Sequence, residues 1–455
     1  MDLSGLLDIL HTLPEYRRLL EGITRGEAHR EQPLGLIRSA RPFVAAALAR
    51  DIAPQTGDRD RPVLIITARA DRVHNLAEQL IAWCPDLRVL TFPEPNALFY
   101  ERAPWGPRTT QARLQVLAEL AGEGKTHQHT NTVIVTSARG LMQRTLPVNY
   151  MRDHRVVIER NRPLPGGSPD VLLRNLMHIG YEPVTVVTEA GTFSRRGGII
   201  DIFPIADDRP TRIELWGDEV ESLREFDPAT QRSLGARESL VVTPAREAMP
   251  GYGLVAAARL REWFGSLPRS DEQAGSDDIS PRADQTKLLQ RSSFDTLEFY
   301  LPWMYDEHVS LLDYLPGDAL VLVDDLEELH STVAELETRA LELRQQQEAA
   351  GAIPPDMPLP LITWGQLGDE LSQAATIELG GFVSDEPEGE GPALGDIFVP
   401  GPRFAGELRH FLDHLRELTR AGHERVIIVS RQAERLSELW RERTLGATGA
   451  TVETI

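Results

Sequence analysis

Short β-branched apolar runs alternate with amphipathic stretches through the first third of the chain. "PVLIIT" (62–67), "LRVLTF" (87–92) and "TVIVT" (132–136) read as strands of a parallel sheet covered on both faces. Helical spacing at about 70–83 and 108–122 supplies the crossovers, so the order strand, helix, strand, helix, strand predicts an α/β layer. The opening "MDLSGLLDILHTLPEYRRLLEG" is amphipathic with Asp2, Asp8 and Glu15 inside the pattern, which makes it a helix and not a leader peptide.

The rhythm changes near 155. "RVVIE" leads into a helix that Ser168 caps and Pro169 starts, and then "PVTVVT", "GGIIDIF", "TRIELW" and "EVESLREF" read as strands. Gly217–Asp218 is a two-residue hairpin signal and Asp227–Pro228 closes the next turn. This predicts a small α+β domain at 151–250, inserted into an α/β layer that occupies 1–150 and resumes at 251–350. The polar segment 266–285 reads as a mobile linker, and "LVLVDDL" (320–326) as a buried strand running into a long helix. From 351 a further α/β domain is expected, with an acidic linker at 384–396, a helix near 404–420, the strand "RVIIVS" (425–430) and a helix from Gln432. The chain stops at Ile455 inside that pattern, which leads us to expect a longer protein.

Composition narrows the function classes. The 455 residues are 41% hydrophobic and 26% charged, as in globular proteins of several domains. A net charge of −21 argues against bulk nucleic-acid binding, because phosphates repel an acidic surface. One cysteine, Cys84, leaves no internal disulfide and suits a reducing cytoplasm, and no apolar run approaches the roughly 20 residues needed to span a bilayer.

Few stretches suggest chemistry. "GLIRSARP" (35–42) has the length and placement of a phosphate-binding loop, but Ala40 stands for the second glycine, Arg41 for the lysine and Pro42 for the hydroxyl residue. Ala40 crowds the backbone curl, and Pro42 has neither a hydroxyl for magnesium nor an N–H for a phosphate oxygen. The stretch therefore reads as a helix start. Asp324 and Asp325 resemble the acids that hold magnesium opposite such a loop, yet without it they read as a strand-to-helix cap. His127 and His129 lack a partner at metal-ligand spacing, and Cys84 before Pro85 reads as a packed thiol. "NALFYERAPWGPR" (96–108) interleaves aromatics with arginines, a pattern that stacks on nucleic acid or plugs a domain edge with Phe99, Tyr100 and Trp105. In "FSRRGGIIDIFP" (193–204), alternation puts Ile200 and Ile202 on one face and Ile199, Asp201 and Phe203 on the other. Arg195 and Arg196 then point to opposite faces unless Gly197–Gly198 forms a bulge. The residues alone leave open whether these arginines are a solvated strand end or an anchor for an acidic partner.

Taken with "TRIELWGDEVESLREFDPATQRS", this stretch resembles the bacterial transcription-repair coupling factors, the Mfd family, within the module they share with the excision-repair protein UvrB. Arg196-Gly197, Asp201-Ile202-Phe203-Pro204, Gly217-Asp218-Glu219 and Phe226-Asp227-Pro228 fall in the family's order. "FPEPNALFYERAPWGPRTTQARLQVLAEL", "TSARGLMQRTLP" and "FDTLEFYLPWMYDEHVSLLDYLPGDALVLVDD" extend the likeness over most of 20–345. The resemblance implies a degenerate P-loop, helicase-like layer (Gly35, Ala40, Arg41, Pro42) without a catalytic residue, a bound metal or a cofactor of its own. It also implies an insert that recruits UvrA through Arg196, with Arg195, Gly197, Asp201 and Phe203 around it. The family often carries a further arginine after the tyrosine preceding this strand, where this chain reads Tyr181-Glu182-Pro183. ATP, magnesium, RNA polymerase and double-stranded DNA would be engaged by a motor and a polymerase-binding domain downstream. An alternative, a UvrB-like ATP-dependent excinuclease subunit that binds damaged DNA, needs nucleotide at 35–42 and a long DNA-clamping hairpin, for which the sequence shows no counterpart. A free-standing interaction module is a further alternative.

Overall fold

The computed structural model of the chain describes residues 3–26, 33–52, 61–122, 132–266, 281–381, 393–404, 407–420, 428 and 432–444. His127, His129 and all but one residue of the expected strand 425–430 lie outside them. The strands in chain order are β1 (Val63–Thr67), β2 (Arg88–Phe92), β3 (Thr132–Ser137), β4 (Val156–Glu159), β5 (Glu182–Pro183), β6 (Thr192–Arg196), β7 (Ile199–Phe203), β8 (Thr211–Trp216), β9 (Glu219–Phe226), β10 (Ser233–Arg237), β11 (Ser239–Val242), β12 (Leu320–Val323) and β13 (Ala375–Glu378).

The first layer is a five-stranded sheet in the order β13-β12-β1-β3-β2, parallel throughout. Every residue of β1, β3 and β12 is buried, as continuous apolar runs require when helices cover both faces. The two-residue period sorts them. Val63 and Ile65 face a core shared with helices Arg41–Asp51 and Ala70–Trp83. Leu64 and Ile66 face a second core with helices Pro107–Leu120 and Leu326–Ala349.

That second core continues without a break into the insert, through Leu172 and Leu176 of helix Pro169–His178 and Ile200, Ile202, Ile213 and Leu223. The insert is a six-stranded sheet in the order β10-β9-β8-β7-β6-β5, antiparallel except where β5 meets β6. The predicted punctuation holds. Ser168 Oγ accepts from Val171 N at 3.4 Å, Gly217 turns the β8–β9 hairpin at φ +64°, and Asp227 Oδ1 accepts from Thr230 N at 2.7 Å. An antiparallel pair, β4 with β11, closes the insert.

At its exit one ion pair fastens the insert to the first layer. Arg113 and Glu247 are both 0% exposed, with Arg113 Nε donating to Glu247 Oε1 at 2.5 Å and Nη2 to Oε2 at 3.2 Å. Thr145 Oγ1 donates to the same carboxylate, Arg113 Nη1 donates to Pro93 O at 3.1 Å, and the guanidinium lies 4.0 Å from the centre of the Phe92 ring.

The structure departs from the sequence reading in four places. "PVTVVT" (183–188) is not a strand beyond Pro183, because the carbonyls of Thr185 and Val187 accept from the side chains of Ser194 and Gln231 instead of a neighbouring ladder. Residues 281–285 of the expected linker open helix Pro281–Leu289, and buried Asp284 accepts from Arg102 and Tyr300. No separate α/β unit begins at 351, since β13 pairs in parallel with β12 and extends the first sheet. Residues 393–398 fold back onto this same layer, where Leu394 joins its core.

Replacing Arg113 by Met strands a buried carboxylate and is expected to lower stability by about 3–5 kcal/mol in chemical denaturation. The exposed pair Arg339–Glu335, broken by Arg339→Ala, is expected to cost less than about 1 kcal/mol. Equal losses from the two substitutions would contradict the fastening role.

Candidate functional site

Two places bring together residues the sequence singles out. In the first, three backbone N–H groups at the start of the loop before helix Arg41–Asp51 are already paired: Leu34 with Glu378 O at 2.9 Å, Gly35 with Gly380 O at 3.3 Å and Leu36 with Leu379 O at 2.9 Å. Ala40 sits at the helix N-cap without a side-chain cap, and Pro42 falls in the first turn. Arg41 is buried. Its Nε donates to Leu36 O at 3.1 Å and its Nη1 to Asp324 Oδ1 at 2.9 Å. Arg72 closes on the other oxygen of Asp324. Asp325 does cap the following helix, with Oδ1 accepting from Glu328 N at 3.0 Å, but Asp324 is an ion-pair partner and not a cap. A methyl group on Gly380 would overlap the Arg41 guanidinium, and one on Gly395 would overlap the Gly35 carbonyl. The chain itself thus fills the space over this loop.

The second place is the outer face of the insert. Register pairs Arg195 with Ile200 and Arg196 with Ile199, so the two arginines do point to opposite faces. Arg195 emerges at the edge of the core face, where Nη1 meets Asp170 Oδ1 at 2.5 Å in the first turn of helix Pro169–His178. Arg196 lies on the outer face, with its side chain 57% exposed, and Nη2 donates to Asp201 Oδ2 at 3.2 Å. Gly197 turns between the strands at φ +62°.

Asp201 is the centre of this face. It is 1% exposed and stands opposite Arg212 on β8, which grips it with both prongs, Nε to Oδ1 at 2.7 Å and Nη2 to Oδ2 at 2.9 Å. Arg212 also lies 4.8 Å from the centre of the Phe226 ring, and its own pKa is raised, first by the hydrogen bonds to Asp201. One carboxylate therefore serves two guanidinium groups, and exposed Arg224 stands opposite Arg212 on β9. With Glu214, opposite Ile199 on the same face, counted against Arg196, Arg212 and Arg224, only a small positive surplus remains on the outer side. Asp201 and Phe203, expected at the partner surface, are buried: Asp201 positions the arginines, and Phe203 packs with Val187 and Phe226. Arg212 was legible in the alternation of "TRIELW" but drew no notice, since its partner stands eleven residues away on the neighbouring strand.

Other candidates take structural roles. Phe99 and Tyr100 are buried, Arg344 Nη1 donates to Tyr100 Oη at 2.9 Å, and Arg102 pairs with Asp284 at 2.7 Å. Phe99, Tyr100 and Arg102 thus close a domain edge. Burial raises the pKa of Cys84. Glu182 accepts from Ser293 Oγ at 2.8 Å. Among the described residues no group of three His, Cys, Asp or Glu is arranged to hold a metal, and no helix is long and apolar enough to cross a membrane.

The UvrB interaction domain family matches residues 167–247, the stretch that contains helix Pro169–His178 and strands β5 to β11. Transcription-repair-coupling factors match over a longer span. That of Bacillus subtilis is 28% identical over 340 residues, covering 72% of this chain and 27% of the relative. That of Mycobacterium bovis is 30% identical over 340 residues, covering 73% and 26%. The chain is a relative of the transcription-repair-coupling factors. It spans about a quarter of the length of these curated relatives. The protein of Staphylococcus haemolyticus is 26% identical over 297 residues, or 64% of this chain and 25% of the relative.

The matched domain contains the whole Asp201 cluster, which yields a stability test. Asp201→Ala leaves two guanidinium groups side by side without their acceptor and is expected to cost about 1.5–3 kcal/mol in chemical denaturation. Arg196→Ala, mostly exposed, is expected to cost under about 1 kcal/mol. A reversed order would remove Asp201 from the centre of the face.

Proposed function

We propose that this chain is a docking portion of a transcription-repair coupling protein, and that its insert recruits UvrA in transcription-coupled nucleotide-excision repair. The observation that carries this reading is Arg196: an exposed guanidinium held on a rigid strand by a carboxylate that Arg212 already neutralises. Such a group keeps net charge for a partner's carboxylate while losing little freedom on contact. Arg195, on the other face of the strand and already paired with Asp170, is assigned the lesser part in the contact. Arg224 widens the positive surface, and the charge steers association with an acidic partner.

In this reading the first layer is a degenerate helicase-like sheet that scaffolds the insert without binding nucleotide. The pairing of Arg41 with Asp324 and the closed backbone of 34–36 support it. ATP hydrolysis with magnesium, and contacts with RNA polymerase and double-stranded DNA, are assigned to other parts of such a protein, acting in the cytoplasm.

Two measurements test the proposal. Capture of purified UvrA by the wild-type chain, without nucleotide, is expected to fall at least about tenfold for Arg196→Glu and to weaken as salt rises through the screening range near 0.15 M. Unchanged capture by the charge-reversed chain would overturn the assignment. Calorimetric titration with ATP and magnesium is expected to show no binding. Saturable binding lost in Arg41→Ala would favour an active, UvrB-like layer.

A further inference from the structure

Trp216 is the most exposed large apolar side chain among the described residues, at 79%. An indole left in water adds nothing to the stability of the fold, so packing does not account for it. Its position does. Trp216 ends β8 opposite Glu219, at the turn that Gly217 makes. Strands β6 to β9 run as a meander, so the β6–β7 turn at Gly197–Gly198 and the β8–β9 turn lie at one end of the sheet. The two turns are joined: Leu215 N donates to Gly198 O at 2.9 Å, and a methyl group on Gly198 would lie 3.2 Å from the Leu215 carbonyl oxygen. A loop closes the other side, with Asn161 N donating to Val220 O at 2.8 Å and Leu164 N to Asp218 O at 2.9 Å. One end of the insert therefore gathers Trp216, half-exposed Ile199 and the exposed guanidinium of Arg196 beside the exposed acids Asp218 and Glu219, with Arg195 paired to Asp170 at its edge.

We infer that Trp216 is the apolar anchor of the contact with UvrA, and that its counterpart there is an apolar pocket bordered by carboxylates. This rests on the docking reading above and adds what holds the complex after charge has steered it together. Arginine and tryptophan dominate the energetics of protein interfaces, and the indole brings a large contact area with only two side-chain torsions to fix. The rigid paired turns beneath Trp216 hold its backbone in place before binding, so ordering costs little. Division of labour follows from the chemistry. The arginines set the association rate through long-range attraction, and the indole, acting only in contact, sets the dissociation rate.

The test is surface plasmon resonance on immobilised UvrA, comparing wild type with Trp216→Ala, Trp216→Phe, Arg196→Glu and Leu98→Ala, each checked for native circular dichroism. Leu98 is 53% exposed on the first layer and controls for non-specific apolar contact. Trp216→Ala is expected to bind about thirty-fold more weakly, nearly all of it in faster dissociation, with Trp216→Phe recovering most of the loss and Leu98→Ala unchanged. Loss of binding in Arg196→Glu with Trp216→Ala within about twofold of wild type would overturn the anchor and leave the docking reading intact. An equal loss in Leu98→Ala would also overturn the anchor. No effect of Arg196→Glu, or no binding by wild type, would overturn the docking reading and the anchor with it.

Discussion

A buried carboxylate held by a guanidinium is the interaction on which this structure depends, and it recurs at three levels. Arg113 and Glu247 join helix Pro107–Leu120 to the point where the chain leaves the insert, with no exposure on either partner. Two charges taken wholly out of water are tolerable only when each lone pair and proton finds a partner, and here Thr145, Pro93 and the Phe92 ring complete the set. The core that runs unbroken from β1 into the insert gives the two parts their cohesion, and this pair fixes how the returning chain joins them.

The same chemistry gives opposite results at the other two carboxylates. Asp324 is closed in by Arg41 and Arg72, the backbone donors of 34–36 are paired with 378–380, and Gly380 and Gly395 lie close against Arg41 and the Gly35 carbonyl. Asp201 is oversubscribed: Arg212 satisfies it from one side and Arg196 leans on it from the other while remaining largely in solvent. A closed pair makes a scaffold, and an oversubscribed acid projects positive charge from a rigid sheet. On a chain of net charge −21 that local surplus is the more distinct.

Much of this was legible in the sequence. Apolar runs at 62–67 and 132–136 announced the covered parallel sheet, and Ser168, Gly217 and Asp227 marked their cap and turns because each has a local physical job. Non-local pairing was not legible. Arg41 and Asp324 were each noted, but 283 residues separate them and only the fold shows that they meet. Asp201 was expected at the partner contact because the family resemblance placed it in the motif around Arg196. Nothing local reveals that β8 places Arg212 across from it and covers it. "ATIE" (375–378) is too short and mixed to announce an edge strand of the first sheet, so the boundary at 351 was misplaced. Trp216 closed the alternating stretch "TRIELW", and only its exposure distinguishes it from a core aromatic.

The central claim is that the insert's arginine-bearing end is where UvrA docks while the first layer stays a passive scaffold. Hydrogen–deuterium exchange of the chain with and without UvrA tests it most directly. The account predicts that protection on complex formation concentrates at 194–200 and 212–220, with 34–42 and 320–326 unchanged. Protection confined to the first layer, with the strands around Asp201 exchanging as in the free chain, would contradict it.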